Sequence, residues 1–181
     1  MRIRREEPGD EASVRDVIIR AFGPDEAVVA DLVDTLRVSP AGAAGRSWMA
    51  EIDGEPVGHV MLTRGWLDAP RRLIEVPVLS PLGVVPEHQR GGVGTALVRH
   101  AVAAAERCGD PLVFLEGSPD YYSRLGFEAG GPRGFRKPSL RIPDAAFQVT
   151  VLASYEAWMT GTLVYAEPFW ALDCVGLREH A

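Results

Sequence analysis

Residues 82–95 constrain the fold more than any other stretch of the chain: Leu82-Gly83-Val84-Val85-Pro86-Glu87-His88-Gln89-Arg90-Gly91-Gly92-Val93-Gly94-Thr95. An apolar run ends in a glycine-rich turn, and apolar residues at helical spacing follow (Val93, Ala96, Leu97, Ala101, Ala104, Ala105). A strand that passes through such a turn into a helix brings successive backbone N–H groups into one small volume. The helix N-terminus adds unpaired donors and a partial positive charge. Glycine lets an anion approach the backbone with no Cβ in the way, and Arg90 offers a charged donor. The ligand this arrangement predicts is a phosphate or pyrophosphate.

Three phosphate-binding patterns compete for the segment. A P-loop requires G-x-x-x-x-G-K-[ST], and the only lysine, Lys137, is followed by Pro138. A dinucleotide fingerprint requires G-x-G-x-x-G in an early strand–helix–strand unit; Gly92-x-Gly94 is followed by Leu97, midway along the chain. The pattern met is Q-x-x-G-x-G, with Gln89, Gly92 and Gly94.

The rest of the chain supplies an α/β frame. A short strand at Ile3–Arg5 precedes Pro8-Gly9-Asp10, where Asp10 is expected to cap a helix with the stripe Val14, Val17, Ile18, Ala21, Phe22. Gly23-Pro24 ends that helix. Asp25 is expected to cap the next, whose stripe is Val29, Leu32, Val33 and Leu36, and Pro40–Gly45 reads as a loop. Ser47–Ile52, the turn Asp53-Gly54 and Pro56–Thr63 predict a hairpin. A loop near Asp68-Ala69-Pro70 leads to an extended run over 74–85, then a helix over Gly92–Arg107 stopped by Gly109. Leu112–Leu115 is apolar throughout, as in a buried central strand. Strand–helix–strand from Val78 to Leu115 predicts a right-handed unit with parallel strands. A short helix over Pro119–Leu125 and strands at Ala146–Leu152 and Thr162–Ala166 complete a mixed central sheet of about six to seven strands flanked by helices.

Farther on stands Gly117-Ser118-Pro119-Asp120-Tyr121-Tyr122-Ser123-Arg124-Leu125-Gly126-Phe127-Glu128. The glycine-rich turn with its preceding Leu-x-Val-x-Pro-Glu resembles the acetyl-CoA signature of the GNAT superfamily of N-acetyltransferases. The Tyr-x-x-x-Gly-Phe element after the next strand resembles that superfamily too, most closely its YhbS-like branch. The resemblance covers residues 1 to 130 well and the last fifty less. It implies one GNAT-type acyl-CoA N-acyltransferase domain over 1–181, α/β or α+β by scheme. It also implies acetyl transfer from acetyl-CoA, without a metal, to a primary amine in a ternary complex.

The resemblance implies roles as well. The backbone N–H of Leu82 polarises the acetyl carbonyl, helped by a bulge that Pro81 favours because it lacks an N–H. Gly83, Val84 and Val85 continue the cofactor strand, with Val84 pairing with the pantetheine arm in a slot between splayed strands at Leu82 and Phe114. Gln89, Arg90, Gly91, Gly92, Val93, Gly94 and Thr95 form the pyrophosphate loop, and Arg124 joins the cofactor set. Tyr122 protonates the departing thiolate; the alternatives for it are a cofactor contact or a packing aromatic. Tyr121 reads as packing. For the base, Glu116, Glu75 and His59 are candidates, each also readable as an ordinary hydrogen-bonded or surface residue, so the base stays open.

Composition closes off other classes. A net charge of −6 argues against a nucleic-acid binder with a general basic field. No stretch reaches the roughly 18 to 20 apolar residues a membrane span needs, and the charged start Met1–Glu7 is no secretory signal, so the expected location is cytoplasmic. Cys108 and Cys174 belong to no C-x-x-C pair and read as buried small residues. The tail aromatics Tyr155, Trp158, Tyr165, Phe169 and Trp170 are expected to cover the sheet, or else to wall an acceptor pocket or a dimer face. The expected acceptor is a small-molecule or peptide amine, and the expected assembly a monomer or homodimer. A non-catalytic CoA or acyl-CoA sensor is the alternative function; a nucleotide-dependent oxidoreductase lacks the third glycine and the position.

Overall fold

In the computed structural model, which describes residues 1–23, 27–42 and 45–177, the chain has nine strands and five α-helices. It divides into two compact units, each built from two stretches of chain. The expected cap Asp25, with Pro24, Ala43 and Ala44 of the expected breaks, lies outside the described residues.

The first unit holds residues 1–63 and 79–103. Strand β1 (Arg2–Arg5) pairs antiparallel with β2 (Ser47–Ile52), which pairs antiparallel with β3 (Glu55–Asp68). The hairpin turn has positive φ at Asp53 (53°) and Gly54 (87°), the pair of left-handed residues that a tight two-residue turn between twisted strands requires. The β2–β3 register slips between Ala50 and Glu51, because Glu51 faces Pro56, which has no N–H to give. Helix α1 (Glu11–Phe22) buries Val14, Val17 and Ile18 and ends at Gly23 (φ 92°), whose N–H reaches the Ile19 carbonyl. Helix α2 (Ala27–Val38) buries Ala30, Leu32, Val33 and Leu36.

Two expectations for α1 need correction. Phe22 is 40% exposed, because it sits at the helix end, past the last buried turn. Asp10 occupies the N-cap position without capping: its carboxylate takes Arg4 Nη1 at 2.6 Å and the Glu7 N–H at 2.7 Å instead. An ion pair to a neighbouring strand has outcompeted the local hydrogen bond.

His59 is fully buried on β3 and shares a network with Ser47, Glu6 and Arg37. Its Nε2 lies 2.7 Å from Ser47 Oγ and 3.2 Å from Glu6 Oε2; Ser47 also bonds Glu6, and Arg37 Nε donates to Glu6 Oε1 at 2.5 Å. Burial alone pushes the Glu6 carboxyl up, but the hydrogen bonds from His59, Ser47 and Arg37 outweigh it and hold the group at about 2. A depressed folded-state pKa contributes stability above the ordinary value of 4.5 and loses it as the pH falls toward 2. Glu6→Gln is therefore expected to cost about 3 kcal/mol at pH 7 and nearly nothing at pH 2. Urea titrations at the two pH values check this; an equal cost at both would show that the carboxylate charge is not what the network uses.

The second unit holds residues 64–78 and 104–181. Here β4 (Leu73–Val84) is in parallel register with β5 (Leu112–Glu116) at Val78↔Phe114. Strand β5 pairs antiparallel with β8 (Phe147–Val151), and β8 with the two-residue β6 (Glu128–Ala129). The end of β3 pairs antiparallel with β9 (Gly161–Val164), which pairs parallel with β7 (Phe135–Arg136). Leu112, Val113, Phe114 and Leu115 are wholly buried, as an apolar central strand should be. Phe114 stacks on Phe147 and meets Phe135 edge-on. Helix α3 (Val93–Cys108) ends in a Schellman pair: Gly109 (φ 78°) bonds Glu106, and Asp110 bonds Ala105.

The sheet carries more strands than the expected six to seven, since β6 and β7 are too short to show alternation. The expected helix over Pro119–Leu125 is α4 (Pro119–Tyr122) followed by a 3₁₀ turn, Ser123–Leu125. Tyr165 and Phe169 are buried and pack together, Phe169 on helix α5 (Glu167–Ala171). Trp158 instead lies beneath the guanidinium groups of Arg71 and Arg72. Cys108 is exposed and Cys174 half-buried, against the expectation for both, because each stands at or beyond a helix end. No helix among the described residues is long and apolar enough to cross a membrane.

Candidate active site

Strand β4 ends at Val84, and Val85 is tied down by its N–H to the Val57 carbonyl. A 3₁₀ turn, Pro86–His88, follows, and the Gln89 side-chain amide donates back to the Val84 carbonyl at 3.0 Å. Gln89 thus closes the loop by bonding backbone, a positioning use that its family motif alone did not specify. Arg90 (φ 59°) and Gly92 (φ 89°) are both left-handed around Gly91, backbone of the kind that forms anion-binding concavities. The first bond of α3 runs from Ala96 N–H to the Gly92 carbonyl, so the amides of Val93, Gly94 and Thr95 precede it and find no acceptor inside the helix.

The surroundings leave this helix end accessible. Gln89, Arg90, Gly91 and Gly92 are exposed, and a Cβ built at Gly92 would meet nothing within 4 Å. A phosphate can therefore reach the amides without displacing protein. The nearby Glu87 carboxylate, which would repel it, is paired with Arg20 at 3.1 Å. Gly83 is buried against α1: a Cβ there would lie 2.9 Å from Ile18 and 3.2 Å from Ala21. Leu82 and Val84 are half-buried on the same strand, and Pro81 joins Ser80 through a cis peptide.

In the second unit, Tyr122 ends α4 and its ring is clamped. It meets Tyr121 (4.8 Å) and Phe127 (5.8 Å) edge-on. Gly126 (φ 88°) stops the 3₁₀ turn and sends Phe127 into the core, which is the physical content of the Gly-Phe step. The phenol oxygen of Tyr122 makes no hydrogen bond to a described residue. Burial pushes this phenol well above its ordinary value, with a further push from Tyr121, so it stays protonated. Arg124 is exposed on the 3₁₀ turn, without an ion pair among the described residues.

Gly117 supports the candidate Tyr122 ring, and motif reading missed it. A Cβ there would lie 2.4 Å from Tyr122 Cε2, so only glycine leaves room for the ring. Its place directly before Ser118-Pro119 was the available signal. Gly117→Ala is expected to displace the phenol and lower kcat by about tenfold or more, with acetyl-CoA affinity unchanged. A kcat equal to that of the unaltered enzyme would show that the ring position does not matter.

The three candidate bases separate. His59 is sealed inside the Glu6 network and meets no solvent; its buried Nδ1 has no hydrogen-bond partner among the described residues. Glu75 is exposed and 3.6 Å from Arg64. Glu116 is half-buried; burial raises its pKa, while the Gly176 N–H bonds it and the Arg141 charge acts in the opposite sense. Glu116 thus combines partial exposure with a pKa that burial raises toward that of a base.

The acetyltransferase (GNAT) family model matches residues 15–127. The uncharacterized N-acetyltransferase YjhQ of Escherichia coli (strain K12) is 34% identical over 167 residues, 88% of each chain. Among solved structures, the GNAT family N-acetyltransferase YhbS of Escherichia coli, in complex with CoA, superposes with a TM-score of 0.79 at 28% identity. That match covers 93% of this chain and 91% of YhbS. A GNAT family acetyltransferase from Brucella melitensis, in complex with acetyl-CoA, gives 0.70 at 26% identity over 93% of this chain and 97% of its own. With a strand–turn–helix anion cradle and a Tyr-x-x-x-Gly-Phe turn both in place, the chain belongs to the acetyltransferase (GNAT) family, as an acyl-CoA-dependent N-acetyltransferase.

Proposed function

We propose that the protein transfers an acetyl group from acetyl-CoA to a primary amine by direct attack in a ternary complex. The observation that carries this reading is the α3 N-terminus: three helix amides without intrahelical acceptors, preceded by a left-handed glycine facing open space. Val93, Gly94 and Thr95, with Gly91, Gly92 and the Gln89–Arg90 turn, hold the pyrophosphate, and Arg124 adds a cation. Leu82, Gly83, Val84 and Val85 receive the pantetheine arm, and Leu82 N–H holds the acetyl oxygen as negative charge develops there.

The amine nitrogen bonds the carbonyl carbon, the carbon–sulfur bond breaks, and the nitrogen gives up its proton to water or to Glu116. Tyr122 supplies the proton that the thiolate takes. Rate enhancement comes mainly from positioning and the carbonyl-polarising donor, since the phenol is a weak acid. We place the reaction in one domain over 1–181, because the boundaries between the compact units fall inside β3, β4 and α3 rather than in linkers.

The test is calorimetric titration with acetyl-CoA, CoA, ATP and NADH, followed by detection of free thiol with a panel of amines. Selective binding of acetyl-CoA and CoA with amine-dependent thiol release supports the reading. CoA binding without release by any amine would instead establish a sensor. No CoA binding by folded protein would overturn both.

A further inference from the structure

A cavity of about 750 Å³ opens in the second unit beside β6, β7 and β9, of a size that suits a small ligand. Its floor is aromatic: Phe135 and Phe147 are nearly fully buried and both pack on Phe114. Pro132 and Leu140 extend the apolar wall, and Leu140 stands 93% exposed at the rim. Two cations line the same space with different standing. Lys137 is spent within the protein, donating to Asp144 Oδ1 at 2.6 Å and to the Ile142 carbonyl. Arg136 is exposed; among the described residues it bonds only through Nε, to Thr162 Oγ1 at 2.9 Å, and forms no ion pair. The other donors of its guanidinium fork remain for a planar oxyanion.

The cavity borders the strand that flanks the Tyr122 support. Gly117, against which the phenol ring rests, donates its N–H to the Ala146 carbonyl and accepts from the Gln148 side chain. Phe147 on the cavity floor stands directly opposite Glu116. An apolar floor beside one cation that pairs with no described residue suits an occupant that is apolar and bears a single negative charge. A phosphate dianion would leave charge unpaired against hydrocarbon.

We propose that this cavity is the acceptor site, and that the acceptor is a small amine bearing a carboxylate and an apolar side group. Arg136 holds the carboxylate, and Phe135 and Phe147 hold the apolar group. The inference rests on the acetyl-transfer reading above.

The experiment pairs amines that differ only in the carboxylate, phenylalanine against phenethylamine and leucine against isopentylamine, in a thiol-release assay with acetyl-CoA. Each amine is also titrated by calorimetry into CoA-saturated protein, so that binding is read without turnover. The carboxylate-bearing member of each pair is expected to bind and react with the lower KM. Arg136→Ala is expected to raise that KM by about tenfold or more while leaving the KM for acetyl-CoA and the weak use of phenethylamine unchanged. Arg136→Lys should recover part of the loss. Arg133→Ala, whose side chain pairs with Glu128 at 2.7 Å, should behave as wild type. Preference for the amines without a carboxylate, equal effects of Arg136→Ala on both members, or no amine binding to the CoA complex would each overturn the proposal. Failure of CoA itself to bind would overturn the acetyl-transfer reading instead, and the two failures are separate measurements.

Discussion

Gly92→Asp is expected to weaken acetyl-CoA binding by about 100-fold or more while leaving the fold intact. Gly92 is the residue whose carbonyl accepts the first bond of α3, and so stands at the N-cap. A side chain fits there sterically, since nothing lies within 4 Å of its Cβ position, although φ of 89° costs an L-residue about 1–2 kcal/mol. An aspartate there puts a carboxylate at the α3 N-terminus, beside the amides of Gly94 and Thr95. The introduced carboxylate would occupy the donors proposed for pyrophosphate and repel the ligand as well. The backbone strain alone predicts a modest fall in melting temperature, of similar size in both Gly92 variants. Gly92→Ala separates the two causes, because it introduces the strain without the anion and should cost binding only several-fold. Calorimetry on the three proteins decides. Wild-type affinity in the aspartate variant would move the pyrophosphate away from this helix end.

Much of this was legible in the sequence for a physical reason. The proposed anion cradle depends on backbone geometry that glycine permits, and glycines announce such positions in one dimension. The apolar run Leu112–Leu115 and the Asp53-Gly54 turn were legible on the same grounds, burial and positive φ. Other features depend on pairings far apart in the chain. Asp10 reads locally as a cap, but Arg4 takes its carboxylate. His59 reads as a base on a middle strand until Glu6 and Ser47, 53 and 12 residues away, enclose it. The strands β6 and β7 have two residues each, and their pairing partners β8 and β9 lie far downstream. Arg136 carried no motif at all; only the fold sets it on one cavity wall with Lys137, which Asp144 neutralises.

Tyr122→Phe is expected to lower kcat by about 100-fold with acetyl-CoA affinity unchanged. The ring contacts with Tyr121, Phe127 and the Gly117 surface survive the change, and no hydrogen bond to a described residue is lost, so stability should hold. Only the donor atom disappears. The pH profile adds a second reading. An ordinary phenol ionises near pH 10, about where an alkaline limb would begin if Tyr122 were unperturbed. Burial pushes the group well above that, and Tyr121 pushes in the same direction. The proton donor therefore stays loaded, and the wild-type rate should rise as the acceptor amine loses its proton and then stay level through pH 10. The same shift makes the phenol a poor acid toward a thiol of pKa about 8.5, so full transfer is uphill and donation must accompany carbon–sulfur cleavage rather than precede it. Three outcomes divide the roles. A fall in kcat alone assigns the proton to Tyr122. A parallel rise in the dissociation constant of CoA makes the hydroxyl a cofactor contact, and unchanged kinetics leave the ring as packing.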